Sequence, residues 1–439
     1  MRNLLSMIVF IGCCGNTILM GQTAERLSLA GCIAQAIENN PTLRRSELSM
    51  QRDQINYKQA QYERLPTVQG AISHSYNEGR SVNATTNQFV NTSYFSGGQS
   101  MDLSASLFNG FMMLHDIRRK SSAREAGRLE FEGAVNELKL DVIEAYLAVL
   151  TAKDILKQTE GQLAVTQENV SRMEVLQQEG ATHPGDFYDL KGQLQTDKNL
   201  VETNKQALFE RKLRLAALLA LSVEDLPELE PLALVPAETP YSDVALYDRA
   251  RNVLPQFEAL DWRIKEAQEG VKVARSAYYP SLSWGASIQS RYSSIDEAGF
   301  TYWEQFRNYP SKWLGLTLRI PIFNKMRVRS QVKLAKLSIN EMRWERVIRE
   351  NALREETAKA VFGMATLRTN LQNLREREQH YEEAFRIAEV HFLAGNSNSV
   401  LFLAAKHKLD NTRNALLIHQ YAWLMQKYIN DYYAGTLDL

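Results

Sequence analysis

The chain repeats itself once along its length, and this duplication limits its possible folds more than any other feature. Pro41 and Leu43 correspond to Pro255 and Phe257 at an offset of 214 residues. The offset drifts by a single residue, to 215, further along the chain. The other matches are Lys58 with Lys272, Ala60 with Ala274, Pro66 with Pro280, Phe108 with Phe323, Gly180 with Gly395, Lys191 with Lys406, and Leu194 with Leu409. This period is too long for an ordinary solenoid, so two similar halves are predicted.

The duplication divides the chain into four segments. Residues 1–21 are predicted to be a signal peptide, residues 22–226 the first structural repeat, and residues 242–439 the second repeat. Residues 227–241 join the repeats, because prolines punctuate that stretch. They are Pro227, Pro231, Pro236 and Pro240.

The N-terminus has the pattern of an export signal. Arg2 precedes the mostly apolar stretch Leu4–Met20, and Gly21 supplies a small residue for cleavage. A second interpretation makes Cys13 a lipidated cysteine, although Phe10 and Ile11 are a poor lead-in to a lipoprotein site. No later segment approaches the ~20 apolar residues of a transmembrane helix.

Charge and cysteine content exclude several classes of protein. Lys and Arg total 51, and Asp and Glu also total 51. There is therefore no basic excess to support binding to a nucleic acid. The three cysteines, Cys13, Cys14 and Cys32, are too few and too poorly placed for a disulfide or cysteine–metal framework.

Four segments alternate apolar and polar residues: Thr67–Tyr76, Asp102–Phe108, Ser281–Tyr292 and Leu314–Ile322. Strict alternation indicates a strand with one apolar face. Strands of about ten such residues match tilted transmembrane β-strands, while a half-buried sheet in a soluble domain is the alternative. The residues expected to face lipid are Leu103, Leu107, Trp284, Ile288, Leu316, Leu318 and Ile320.

Two further features favour lipid outside the sheet and water inside. The opposite strand faces are small and polar, and aromatic residues flank the strands. These aromatics are Tyr278, Tyr279, Trp303, Trp313 and Phe323. The segments between paired strands, Asn77–Gly98 and Ser293–Pro310, are long and polar and are expected to be loops on the outer side of a barrel.

The remaining chain is predicted to be very long helix. Residues 110–179 contain no proline, and at ~1.5 Å per residue they would span about 105 Å. A return helix is expected over residues 185–221. Sustained seven-residue spacing indicates coiled-coil packing, with Glu378 as a break. The series are Val135, Val142, Val149, Leu156, Leu163 and Val170; Phe187, Leu194, Val201, Leu208 and Leu215; Met364, Leu371, Phe385 and Phe392; and Phe402, Leu409, Leu416 and Trp423.

The number of strands requires association. Four strands cannot close a membrane barrel, since bacterial barrels have at least eight. An open strand edge in lipid would leave backbone groups without hydrogen bonds. At least two chains are therefore expected to contribute to one barrel.

Taken together, these features resemble the TolC family of outer-membrane efflux channels. The resemblance covers nearly the whole mature chain. Its elements are the Asn40-Pro41 helix start, the strands that begin after Pro66 and Pro280, the glycine tips and the duplication. The strand-to-helix corners also match; they are Leu107-Phe108-Asn109-Gly110 and Pro321-Ile322-Phe323-Asn324.

The resemblance implies the architecture and the partners. The fold class would be mainly α with transmembrane β. It would contain a duplicated strand hairpin with long coiled-coil helical hairpins, forming an oligomeric β-barrel continued by a periplasmic α-barrel. The implied assembly is a homotrimer in outer-membrane lipid. It would dock a periplasmic adaptor (membrane fusion) protein and an inner-membrane efflux pump, without cofactors or nucleic acid.

The resemblance also directs attention to the two tips. Gly180 and Gly395 would form the periplasmic tips that dock the adaptor. In this family, polar and acidic side chains just after the tip glycines close the entrance and set ion selectivity. Asp186 fits that pattern, whereas Leu401 and Ala404 stand where relatives have carboxylates. The constriction candidates are Asp186, Asp189, Phe392 and Ser397. Alternatively, the two aspartates only occupy a helix N-terminus, where the dipole favours carboxylates.

No enzyme motif is present in the sequence. The histidines form neither an H-E-x-x-H motif nor a Cys/His cluster. His380–His391 contains three glutamates, but on a heptad-bearing helix a solvated face is the better interpretation than a metal site. The expected function is a passive exit duct for small molecules in a tripartite efflux system. The alternatives are a type I protein-secretion duct and a non-conducting coiled-coil scaffold in the envelope.

Overall fold

The computed structural model describes residues 26–82, 86–180, 183–233, 242–296 and 298–437. The predicted signal peptide, Cys13 and residues 234–241 of the predicted linker lie outside these ranges. The helices are α1 (Leu29–Asn39), α2 (Pro41–Tyr62), α3 (Met112–Gln178), α4 (Pro184–Leu219), α5 (Asp243–Val253), α6 (Pro255–Ser276), α7 (Tyr302–Asn308), α8 (Arg327–Leu393) and α9 (Ser399–Ala434). The strands are β1 (Thr67–Val82), β2 (Phe89–Asn109), β3 (Ser281–Ser293) and β4 (Ser311–Arg319).

The two halves of the chain contain helices of matching length. α1 and α5 each have 11 residues, α2 and α6 have 22, α3 and α8 have 67, and α4 and α9 have 36. Both 67-residue helices follow a residue with a left-handed backbone, Phe111 at φ 64° and Met326 at φ 60°. Each repeat therefore contains two short helices, two strands and one long helical hairpin, and the second repeat has the additional helix α7 between its strands.

The starts of the short helices follow from local sequence. The Asn40 side chain accepts hydrogen bonds from the backbone N–H groups of Thr42 and Leu43, at 2.9 and 3.1 Å. This N-cap satisfies two of the donors that a helix start leaves free. Pro41 follows at the first helical position, where its fixed φ fits.

The strands form one antiparallel sheet in the order β1-β2-β3-β4. Two predicted loops are partly wrong. β1 and β2 continue pairing as far as Val82 with Phe89. Main-chain hydrogen bonds hold this outer part of the hairpin, and they do not require an apolar face. In the second loop, Thr301 and Glu304 form a capping box that starts α7.

The long hairpins are held by buried heptad positions. Val142, Val149 and Leu215 lie in an equatorial core around the middle of α3, and Phe187, Phe392 and Phe402 lie in a second core near the tips. Glu378, the expected break, accepts a hydrogen bond from Arg413 of α9 at 3.3 Å. The break therefore carries an interhelical ion pair.

Residues 227–233 of the predicted linker are anchored on the first repeat. Leu27 pairs with Leu229, whose side chain is buried. The Tyr146 hydroxyl donates to the carbonyl oxygens of Leu27 and Glu230, at 3.2 and 2.6 Å. Burial raises the pKa of Tyr146 to about 12, so the phenol stays a donor at physiological pH.

Within the described ranges, none of the helices combines the length and the apolar character needed to cross a membrane.

Candidate functional site

Both long hairpins reverse at a glycine. Gly180 has φ 69° and Gly395 has φ 71°, a left-handed conformation that glycine adopts at little cost. After each turn the next helix is capped by a side chain. His183 accepts from the backbone N–H of Gly185 at 3.1 Å, and Asn398 accepts from that of Leu401 at 3.1 Å.

Two predicted constriction residues join the hairpins at this end. A carboxylate oxygen of Asp186 accepts from the backbone N–H of Ser399 at 2.7 Å. An oxygen of Asp189 accepts from the Ser399 hydroxyl, also at 2.7 Å. Ser399 is the first residue of α9, so α4 carboxylates cap the neighbouring hairpin.

Phe392 is the third candidate, and its packing does not support a place in a constriction. Its side chain is buried and stacks on Phe402, with ring centroids 4.8 Å apart and planes 16° apart. Phe187 of the first hairpin belongs to the same cluster. An aromatic ring at this heptad position is driven into the seam between helices by hydrophobic burial.

The fourth candidate, Ser397, is partly exposed in the turn that precedes α9. Leu401, one turn into α9, exposes 62% of its surface. The second tip therefore presents an apolar side chain where the family resemblance implies a carboxylate.

A buried ionic cluster lies further from the tips. Lys406 Nζ of α9 lies 3.2 Å from Asp197 Oδ2 of α4 and 3.0 Å from Asp410 Oδ2. Thr166 of α3 donates to Asp197 at 2.6 Å, and so does Gln193. Burial raises the pKa of Asp410, and the Lys406 ammonium opposes that shift. The cluster ties three helices of the two hairpins together.

Five of the seven predicted lipid-facing residues share one face of the sheet: Leu103, Trp284, Ile288, Leu316 and Leu318. In register, Leu103 pairs with Ala286, Trp284 with Leu316, and Leu318 with Leu282. Ile288 pairs with Met101 on the same face, and Leu107 is the extra residue of a β-bulge between Ser106 and Phe108. Directly paired residues in an antiparallel sheet project to the same side, so one face carries a continuous apolar band.

Two residues singled out in the sequence lie outside the paired part of this band. Ile320 follows the end of β4, because Pro321 cannot donate to the ladder and pairing stops at Arg319. Trp313 pairs with Ser287 and so lies on the polar face, not beside the apolar one. A Cβ built on Gly285 would stand 2.9 Å from Trp313 Cζ3, so the glycine leaves room for the indole in this position.

Besides Trp313, the polar face is lined mainly by small and hydrophilic side chains. Ser283 pairs with both Ser106 and Thr317, and Asp102 pairs with Ser287. This face suits water, and the opposite face suits hydrocarbon.

Comparison with known proteins agrees with this architecture, in which a sheet with one apolar and one polar face is joined to long helical hairpins. The family model described as outer membrane efflux protein matches residues 32–221 and 246–427. The chain belongs to this family.

Individual relatives are similar along most of the chain. The solvent efflux pump outer membrane protein SrpC of Pseudomonas putida is 24% identical over 409 residues, covering 90% of this chain and 82% of SrpC. The cation efflux system protein CusC of Escherichia coli is 23% identical over 402 residues, covering 89% and 82%. The crystal structure of the Campylobacter jejuni CmeC outer membrane channel superimposes with a TM-score of 0.82 at 17% identity, covering 93% of this chain and 86% of CmeC.

This outer membrane efflux protein therefore has the fold of TolC-like channels, and the predicted fold class, location and efflux function are confirmed. The protein-secretion and scaffold alternatives are not favoured. Sequence reasoning missed the Lys406 cluster. A signal was present, because Lys406 lies one turn after Phe402 and Asp197 one turn before Val201, both on heptad seams. In the described part of the chain, no group of three or more His, Cys, Asp or Glu side chains could hold a metal ion.

Proposed function

We propose that three copies of this chain close into one continuous duct, through which small molecules leave the cell passively. An inner-membrane pump supplies the energy, a periplasmic adaptor connects pump and duct, and the duct itself performs no chemistry. The assembly is inferred from two contacts that the described residues leave incomplete. One is the pairing of the outermost strands, and the other is a contact between helices that is made once within the chain but not at the equivalent place of the repeat.

The sheet provides the first open pair. β1 and β4 are its outermost strands among the described residues. In lipid, unpaired strand edges would leave main-chain groups without partners. Pairing β4 of one copy with β1 of the next satisfies both edges, and three copies supply twelve strands, an even number within the range of outer-membrane barrels.

The helices provide the second open pair. α6 packs against both α3 and α8, whereas its repeat counterpart α2 packs against α3 and makes no comparable contact with α8 within the described ranges. The duplication thus predicts that α2 of a neighbouring copy packs on α8. Such head-to-tail contacts form a closed ring when the rotation allows it.

Exposed apolar residues mark the helix faces that this contact would bury. Trp344 of α8 exposes 67% of its surface, whereas its repeat counterpart Leu129 is 4% exposed in α3, the helix that packs against α6. On α2, Leu48, Ile55 and Tyr62 recur every seven residues, and each exposes at least 60%. Burying two such stripes against each other is a strong driving force for association.

The cargo is proposed to be small molecules. Relatives named for solvent and cation efflux support this class without selecting a member of it. In this proposal the Gly180 and Gly395 tips face the adaptor, the apolar sheet face contacts lipid, and the polar face lines the lumen.

Three measurements test the proposal. Native mass measurement of the detergent-solubilised particle should give three chains, and planar bilayers that contain it should conduct ions. Deletion of the gene should lower tolerance to small toxic compounds. A monomer that still conducts would contradict the assembly, and a trimer that does not conduct would contradict the duct.

A further inference from the structure

We propose that α7, the helix between β3 and β4, is an interfacial anchor that rests Trp303 and Phe306 in the outer boundary of the lipid bilayer. The proposal rests on the proposed orientation of the sheet, with its apolar face towards lipid. Its ligand is the interfacial zone of the bilayer, where acyl chains meet headgroups.

The first argument is the face of the sheet on which α7 packs. The Tyr302 ring stacks on His74 at 5.5 Å and lies 5.0 Å from the ring of Tyr292. In register, His74 and Tyr292 both pair with Gly97, and Ile288 lies four residues before Tyr292 on β3. With an even residue spacing and no bulge between them, these side chains project on the same side as the apolar band.

The second argument is the height of α7 along the strands. The apolar band of β3 runs from Leu282 to Ile288, while α7 is bonded to Ser290 and Ser293. These bonds lie five to eight residues beyond the band centre, which is about 13–20 Å along the barrel axis at ~3.3 Å per residue and ~40° tilt. The boundary of an apolar band ~25 Å tall lies about 12 Å from its centre, so α7 is at the outer boundary.

The third argument is the chemistry of the exposed side of α7. Gln305 is buried and bonds both main-chain groups of Ser293, which fixes the orientation of the helix. Trp303 and Phe306, one turn apart, expose 66% and 40% of their surfaces. Large aromatic rings left exposed beside an apolar band are typical of residues that sit at headgroup level.

The aromatic row does not end with α7. Tyr76 and Phe95 pair in register on the same face, with ring centroids 5.4 Å apart, and both rings are exposed. The Phe95 main chain bonds to Ser294, so this pair lies at the level of α7. α7 thus extends an aromatic girdle across β1, β2 and β3.

Spin labels attached to single cysteines test the proposal in proteoliposomes. Trp303→Cys is compared with Leu316→Cys in the apolar band and Gln289→Cys on the polar face, by collision with oxygen and with a water-soluble nickel chelate. The native Cys32 is fully buried, and burial raises the pKa of its thiol to about 12, so it reacts slowly. The parent chain, treated with the same label, gives the background.

We expect oxygen to dominate at Leu316, nickel to dominate at Gln289, and Trp303 to give an intermediate ratio that places the label at headgroup depth. A label at residue 303 with the same ratio as at residue 289, while residue 316 remains lipid-exposed, would overturn the anchor and leave the proposed duct intact. A label at residue 316 that is accessible to nickel would overturn the orientation of the sheet, and with it both proposals.

Discussion

At the scale of residues, the contact between the two hairpins depends on a few polar side chains that are withdrawn from water. Lys406 exposes only 4% of its side chain, and Asp197 exposes 6%. The repeat counterpart of Lys406 is Lys191, which exposes 46% of its side chain, lies 3.9 Å from Glu174 and lies over the Phe187 ring, 4.4 Å from its centroid. The same residue type at equivalent positions therefore has very different energetic roles in the two repeats.

This contrast gives a matched pair of variants. Lys406→Met leaves the carboxylates of Asp197 and Asp410 buried without a cation, and we expect it to lower the free energy of unfolding by about 3–5 kcal/mol. Lys191→Met removes an exposed ion pair, worth at most about 1 kcal/mol, and an exposed cation–π contact with Phe187, worth about 0.5–1 kcal/mol. Urea denaturation of the purified protein measures both. Equal denaturation midpoints would show that the buried cluster does not stabilise the hairpins.

The tip carboxylates give a prediction about ion selectivity. Asp186→Asn combined with Asp189→Asn is expected to reduce cation preference if these groups ring the constriction, because like charges in a narrow pore attract counter-ions. Reversal potentials in asymmetric salt measure the preference. Ser399→Ala is the control, since it removes the hydroxyl partner of Asp189 and keeps both charges. An unchanged potential in the double variant would mean that the carboxylates only hold α9.

At the scale of elements, single substitutions in β4 and in the hairpin turns test the predicted environments most directly. In β4, consecutive residues alternate between the apolar band and the polar face, so adjacent substitutions test opposite environments. In the turns, the left-handed residues Gly180 and Gly395 follow the two 67-residue helices, and a Cβ built on either glycine would meet nothing within 4 Å. Substitution there costs backbone strain alone.

The strand prediction compares three arginine variants. Leu316→Arg and Leu318→Arg place a charge on the apolar face, at a cost of about 2–4 kcal/mol near the bilayer midplane. Thr317→Arg places the same side chain on the polar face. We expect low outer-membrane levels of assembled protein for the first two and near-normal levels for the third, measured by immunoblotting of membrane fractions. Equal levels for all three would contradict the assignment of the faces.

The turn prediction concerns docking. Gly180→Asp or Gly395→Asp should cost about 1–2 kcal/mol of local strain and add bulk at the tip, while the distant strands stay paired. We expect normal levels of trimer in the membrane together with loss of transport, measured as compound susceptibility of complemented cells. Gly192→Asp, at an exposed and open position inside α4, is the matched control and should retain transport. If the tip variants also retain it, the tips do not dock the adaptor.

At the scale of the whole molecule, the duplication provides a template for the proposed assembly. The intrachain contact between α3 and α6 is the repeat counterpart of the proposed contact between α8 and a neighbour's α2. Arg119 lies next to Gly270 in the intrachain contact, with 3.9 Å from Arg119 Cδ to a Cβ built on the glycine. The corresponding residues of the proposed interface are Leu334 and Asn56.

Cross-linking tests this correspondence. Asn56→Cys combined with Leu334→Cys should form covalent dimers and trimers with a short thiol-specific cross-linker, detected on denaturing gels. Asn56→Cys combined with Lys336→Cys, on another face of α8, should not. Efficient cross-linking of the control pair, or none with either pair, would contradict the template.

Local sequence determined most of the elements. The Asn40-Pro41 start, the seven-residue spacing and the period-two alternation predict α2, the long hairpins and the apolar face of the sheet, because capping, burial and pleating act over a few residues. Three features depended on tertiary structure. Phe392 pairs with Phe402, Trp313 covers Gly285, and Asp186 caps α9 rather than only its own helix. Each of these contacts joins residues that are distant in the chain or depends on which face of an element packs. The periodicity of a sequence shows that a residue is buried, but it does not show which residue it contacts. The length of the β1–β2 hairpin was likewise decided by main-chain pairing, which does not depend on the apolar pattern that revealed the strands.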